Sequence, residues 1–185
     1  MNANISHNTT FSKGYIHIYH GDGKGKTTAA FGLALRCAGG GGKVFVAQFL
    51  KDGRSRELDG MRFLPNVSIY AGYQCEKFTF CMNEEERKLA RASYQEDLRA
   101  IFARVSHGDY QLLILDEVID AMNTGFVSGQ ELMEFLLGRP KNLEVVLTGR
   151  NPHEKLVEFA DYVTEMVKQK HPFDKGIGAR ELIEF

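Results

Sequence analysis

Six runs along the chain concentrate or alternate apolar, β-branched and aromatic residues between turn formers. They are "YIHIY" (Tyr15 to Tyr19), "KVFVAQF" (Lys43 to Phe49), "VSIYA" (Val67 to Ala71), "LLIL" (Leu112 to Leu115), "EVVLT" (Glu144 to Thr148) and "YVTEMV" (Tyr162 to Val167), and each reads as a strand. Helical patterns separate most of them. The clearest runs from Asn83 to about Val105: Asn83 stands at the cap, Glu86 completes capping-box spacing, and Glu84 and Glu85 lie where the helix dipole favours acids. Its predicted buried stripe is Tyr94, Leu98, Ile101, Phe102 and Val105. The glycine run Gly39 to Gly42 reads as the end of a helix rather than a linker. Strands alternating with helices predict an α/β fold with a mostly parallel sheet flanked by helices, because parallel neighbours need a crossover that is usually helical. Ligands in such folds gather at the C-terminal ends of the strands, which puts the turns after Tyr19, Leu115 and Thr148 on one rim.

Composition narrows this picture. With 185 residues, 43% of them hydrophobic and 25% charged, the chain fits one domain, residues 15–185, behind a flexible N-terminal segment, residues 1–14. A formal charge of -1 from 23 basic and 24 acidic residues gives no global field to recruit nucleic acid or an anionic membrane, so an anion site has to be local. No run resembles a signal peptide or approaches the roughly 18 apolar residues of a membrane span, so a cytoplasmic protein is expected. Cys37, Cys75 and Cys81 read as reduced thiols, and neither they nor the histidines show metal-ligand spacing.

The candidate chemistry lies in "HGDGKGKTT", which follows the first strand and opens a helical pattern. Gly21, Gly23 and Gly25 can adopt the positive φ that turns backbone N–H groups inward as an anion nest, and the helix starting near Lys26 adds its positive dipole end. Lys26 then neutralises phosphate charge, and the Thr27 hydroxyl can ligand Mg²⁺. The expected nucleotide contacts are Gly21, Asp22, Gly23, Lys24, Gly25, Lys26, Thr27 and Thr28, although His20 stands where the general phosphate-binding loop has its first glycine. A second element, "LLILDE", ends an apolar strand in Asp116 and Glu117, as such proteins do to hold Mg²⁺; if the strand persists, alternation lets only one of the two face the metal directly. Arg150, after "VVLTG", can reach phosphate oxygens or pair with a surface acid. These residues alone fit a P-loop ATPase or small-molecule kinase as well as any other triphosphate-using catalyst.

Several stretches together resemble the P-loop type of ATP:corrinoid adenosyltransferase: "GDGKGKTTAAFG", "VAQFLK", "LLILDE", "VVLTGRNPHEKLVEFADYVTEM" and the tail "KHPFDKGIGARELIEF". The resemblance covers nearly all of the chain after Tyr15, and the family's own loop variant also departs from glycine at the position of His20. It implies a P-loop nucleoside-triphosphate-binding fold and transfer of the 5′-deoxyadenosyl group of ATP to the Co(I) of a corrinoid, with triphosphate leaving whole, in adenosylcobalamin synthesis or salvage. ATP and a cobalamin or corrinoid precursor would be the substrates and Mg²⁺ the cofactor; a cobalt-reducing flavoprotein would be a partner and a homodimer the assembly. The family is also implied to seat its nucleotide reversed in the loop and to wedge aromatic side chains under the corrin. "KFTFC" offers Phe78 and Phe80 for that role, with Phe80 where relatives carry Trp; Tyr73 is a competing candidate, and strand packing is the plainer use of both phenylalanines. In the tail, Asp174, Lys175 and Arg180 read either as site or interface residues or as exposed loop charges.

Overall fold

The structure, a computed structural model, describes residues 12–51, 55–74 and 81–184. Burial on both faces explains the near-continuous apolar runs of the central strands: β2 (Val44–Gln48) and β4 (Leu112–Asp116) are almost wholly inaccessible, as is β5 (Glu144–Gly149) beyond its first residue. With β1 (Ile16–His20), β3 (Val67–Tyr70) and β6 (Tyr162–Glu165) they form one sheet in the order β3-β2-β4-β5-β1-β6, every pair parallel. All six strands fall where the pattern placed them, with ends shifted by about two residues at most.

Alternation along each strand sorts its side chains between two cores. Val44 and Val46 of β2, Leu112 and Ile114 of β4 and Val146 of β5 meet Ala30, Phe31, Ala34 and Ala38 of α1 (Lys26–Gly39), with Leu58 and Met61 of α2 (Arg56–Met61). The intervening residues Phe45, Ala47, Leu113, Leu115, Val145 and Leu147 face the other way. There they meet Ala90, Tyr94, Leu98, Ile101 and Val105 of α3 (Glu84–His107), together with residues of α4 (Val118–Asn123) and α5 (Gly129–Gly138). Phe102, expected in the α3 stripe, is only half-buried; its ring stacks on Phe135 of α5 with centroids 3.8 Å apart. α6 (Glu154–Phe159) leads into β6, the edge strand, exposed at all four positions. α1 ends at the glycine run, as its sequence suggests.

The predicted capping box is present: Asn83 Oδ1 accepts from the Glu86 N–H at 2.9 Å, and the Asn83 N–H donates to Glu86 Oε2 at 3.0 Å. A second α3 contact bears on the rim. The N–H of Leu50, at a φ of 55°, donates to the Tyr94 hydroxyl at 3.1 Å and so fixes the chain just beyond β2. Replacing Asn83 with Ala should lower the unfolding free energy by about 1 kcal/mol. Leu98→Ala, which empties a fully buried position, should cost roughly 2–5 kcal/mol. Urea unfolding checks both, and the α3 assignment requires that ranking.

Candidate active site

Because β4, β5 and β1 are consecutive in a parallel sheet, the turns that follow them emerge on one edge, with His20 in register with Gly149 and Gln48 with Asp116. The loop between β1 and α1 is held by backbone on its outer side: the Gly23 N–H donates to the Met166 carbonyl at 2.7 Å, and the Met166 N–H to the His20 carbonyl at 2.7 Å. That contact dictates two of the glycines. A Cβ on Gly21, which has a φ of 110°, would lie 2.4 Å from the Met166 carbonyl oxygen, and one on Gly23 would lie 2.7 Å from it. Gly25, at a φ of 117°, caps α1 without a side-chain acceptor, so the first N–H groups of the helix are oriented for an anion.

Lys26 is buried beneath this loop, its ammonium donating to the Gly21 carbonyl at 2.8 Å and the Gly23 carbonyl at 2.9 Å. Burial pushes its pKa below the usual lysine value, and the Arg150 charge adds to the effect. Thr27 turns the other way and donates to Asp116 Oδ1 at 3.0 Å. Asp116 has no exposed surface; it also accepts from the Thr148 hydroxyl at 2.6 Å, Gln48 Nε2 at 2.9 Å and Lys51 Nζ at 2.7 Å. The strand ends there. Glu117 takes a left-handed φ of 61°, with its N–H on the Thr148 hydroxyl, so strand alternation no longer separates the two carboxylates and Glu117 lines the cavity that Asp116 backs. Burial, reinforced by the Asp116 charge, pushes the Glu117 pKa up to about 7.

The cavity has a volume of about 650 Å³ and is lined by the loop from Asp22 to Thr28 together with Lys51, Ser55, Glu57, Glu117 and Arg150. The Asp22 carboxylate accepts from the Lys168 N–H at 2.9 Å, a contact that holds its pKa below the usual carboxylate value. Arg150 is placed by its own N–H, which donates to Asp120 Oδ2 at 2.8 Å. The sequence did not single out Lys51, or the tail residues His171, Ile183 and Glu184 that complete the wall. Lys24 Nζ reaches the Ile183 carbonyl at 3.3 Å. Asp174 and Arg180, read above either as site or interface residues or as exposed loop charges, are exposed and pair with Lys168 and with Glu184 respectively. Phe78 and Phe80 lie outside the described residues. Tyr73 is half-buried and sets its ring edge-on to Tyr94, centroids 5.1 Å apart.

A hydroxyl and two carboxylates, all hard oxygen donors, suit Mg²⁺. Among the described residues no group of three His, Cys, Asp or Glu is arranged to hold a metal by itself. Lys51 Nζ, 2.7 Å from Asp116 Oδ2 and 3.3 Å from Thr27 Oγ1, shows that this pair already holds a cation.

Comparison with known proteins identifies the fold and the family. A search of solved structures finds a KaiC-like protein from the hyperthermophilic archaeon Pyrococcus horikoshii, with a TM-score of 0.51 and 16% identity over 87% of this chain and 76% of that one, a likeness of fold alone. Among curated proteins, the corrinoid adenosyltransferase of Pseudomonas aeruginosa is 34% identical over 175 residues, spanning 94% of this chain and 84% of the relative. Those of a Sinorhizobium species and of Escherichia coli are 36% and 31% identical, over 82% and 86% of their lengths. The sequence profile of one family, described as ATP:corrinoid adenosyltransferase BtuR/CobO/CobP, matches residues 12–185. Agreement over that span, from the strand before the glycine loop to the tail that closes the cavity, means that the chain belongs to the ATP:corrinoid adenosyltransferase family.

Proposed function

We propose that the cavity at the strand ends is where this corrinoid adenosyltransferase performs its reaction: Co(I) of the corrinoid attacks C5′ of ATP, and triphosphate leaves intact. The cobalt electron pair forms the Co–C bond, the C5′–O pair departs with the triphosphate, and no protein base is required. The observation that carries this reading is Lys26, buried under a glycine loop at the head of α1 in the same cavity as Arg150.

The work left to the protein is to bind the triphosphate and stabilise the charge that grows on it at the ribose end. The first N–H groups of α1 and the loop amides supply fixed donors. Lys26 exchanges its loop carbonyls for phosphate oxygens, and Arg150 adds a second cation. Thr27, Asp116 and Glu117 are the residues to hold Mg²⁺, which when bound neutralises charge on the leaving group. A nucleotide seated in reverse presents C5′ to the cavity mouth, and Phe78 and Phe80 are assigned to the underside of the corrin, where apolar rings exclude water. ATP supplies no electrons, so cobalt has to be reduced from another source, and a separate flavoprotein is the reductant we assign to that step. Exposed Tyr162 and Val163 on the edge strand support a homodimer, and the free thiols of Cys37 and Cys81 suit the reducing cytoplasm.

Three outcomes test this reading. Mixed with Mg-ATP and a chemically reduced corrinoid, the protein should give a light-sensitive cobalt–carbon product and one triphosphate per turnover; ADP with phosphate would instead mark an ATPase or kinase. Lys26→Ala should lower kcat/KM for adenosyl transfer by at least about a hundredfold, while leaving the far-UV circular dichroism unchanged. Glu117 ionises near 4.5 in the unfolded chain and near about 7 in the fold, so the fold retains a proton that the unfolded chain has lost between those values. Its contribution to stability is therefore complete below about 4.5 and disappears as pH rises through about 7. In EDTA, wild-type stability relative to Glu117→Gln should fall from pH ~5 to pH ~8; parallel profiles in urea unfolding would refute the assignment.

A further inference from the structure

Asp116 has no exposed surface, and four side chains donate to it. Three of them, Thr27, Thr148 and Gln48, are neutral. Among the described residues, the full charge that offsets the carboxylate is the Lys51 ammonium, 2.7 Å away. A buried carboxylate deprived of its cation is strongly destabilising, so Lys51 can leave only when another cation replaces it.

The same ammonium lies 3.3 Å from Thr27 Oγ1 and therefore touches two of the three side chains assigned above to the metal, Thr27 and Asp116. Mg²⁺ binds oxygen at about 2.1 Å. An ion within that reach of Asp116 Oδ2 and Thr27 Oγ1 would occupy the volume of the ammonium and repel it, so the two cations exclude each other. Lys51 is free to go: its side chain is 27% exposed and lines the cavity. The backbone just before it is fixed by the Leu50 N–H on the Tyr94 hydroxyl, so the expected movement is rotation of the lysine stem.

We propose that Lys51 is the resident counter-cation of this site, an internal ammonium that occupies the divalent-metal position between Thr27 and Asp116 and is displaced by the metal into the cavity, onto the triphosphate. The proposal rests on the metal assignment above but not on adenosyl transfer. It makes metal and polyphosphate mutually dependent ligands. Metal alone must expel the ammonium from its closest carboxylate, whereas metal arriving with a polyphosphate provides a multiply charged acceptor for it. Gln48, Thr148 and Thr27 keep the carboxylate oriented during the exchange.

Mn²⁺ alone, followed by the electron paramagnetic resonance of the free ion, reads this without nucleotide or corrinoid. Lys51→Met should bind Mn²⁺ at least about tenfold more tightly than wild type, Lys51→Arg should stay as weak as wild type, and the mutual enhancement of Mn²⁺ and ATP should shrink in the Met variant. A folded Lys51→Met protein that binds Mn²⁺ no more tightly overturns the proposal. If that variant does not fold, the wild-type Lys51 side-chain ¹⁵N resonance, assigned by its loss in Lys51→Arg, decides: it should move on addition of Mg²⁺ with ATP, and an unmoved signal overturns the proposal. Tighter Mn²⁺ binding by Lys51→Met beside a wild type that shows no adenosyl transfer would uphold the role of Lys51 and refute the reaction; failure of both forms to bind Mn²⁺ would refute the metal site.

Discussion

A carboxylate without solvent at the end of a central strand has to be satisfied by its neighbours, and around Asp116 that requirement organises the rim. Its donors come from four places in the chain: Thr27 in the first turn of α1, Gln48 at the end of β2, Lys51 just beyond it, and Thr148 near the end of β5. Each hydrogen bond ties one element to β4. The loop, the second strand and the fifth strand are therefore held to a common origin, and the Thr148 hydroxyl passes the constraint on by accepting the Glu117 N–H. The left-handed backbone of Glu117 is strained for a non-glycine residue, and this bond helps to over-determine it.

A second constraint comes from outside the sheet. The backbone bonds from Gly23 to Met166 and from Met166 to His20 extend β6 pairing past the end of β1, so the chain after the edge strand backs the loop closely enough to exclude side chains at Gly21 and Gly23. Beyond that point the tail returns across the cavity. Glu184 pairs with Arg180, Glu181 reaches Arg56 at the start of α2, and the Ile183 carbonyl meets Lys24. The loop is thus shaped by a segment more than a hundred residues away in sequence, which explains how it keeps its form although His20 replaces the usual first glycine.

What the sequence made legible is what local chemistry determines. Strands buried on both faces announce themselves as apolar runs, the Asn83–Glu86 box marks its helix, and glycines followed by Lys26 and Thr27 mark an anion loop. Strand order was not legible, because β2 lies beside β3 and β4 while β1 lies between β5 and β6, an outcome of crossovers rather than of any one segment. Phe102 was placed in the stripe by periodicity, but a stacking partner on α5 draws it partly outward. Alternation predicted that Asp116 and Glu117 would diverge if the strand continued; it stops, and a left-handed residue brings the second carboxylate round. Lys51 and Ile183 lie in stretches that carry the resemblance, but the Lys51 contact with Asp116 and the Ile183 contact with the loop, across 159 positions, could not be read without the fold.

The charges of the cavity are arranged with a bias that suits a polyanionic leaving group. Lys24 and Lys26 rest on neutral carbonyls, those of Ile183, Gly21 and Gly23. Of the acids in the same wall, Asp22 is engaged by the Lys168 N–H and Glu184 by Arg180, burial raises the Glu117 pKa to about 7, and Glu57 also lines the wall. Exchanging a carbonyl for a phosphate oxygen replaces a neutral acceptor with a charged one, and charge-assisted hydrogen bonds are roughly twice as strong. The lysines therefore gain by turning to a triphosphate, while two of the carboxylates that would repel it are already committed to protein donors. A chain of formal charge -1 can in this way hold a strongly anionic ligand without a basic surface.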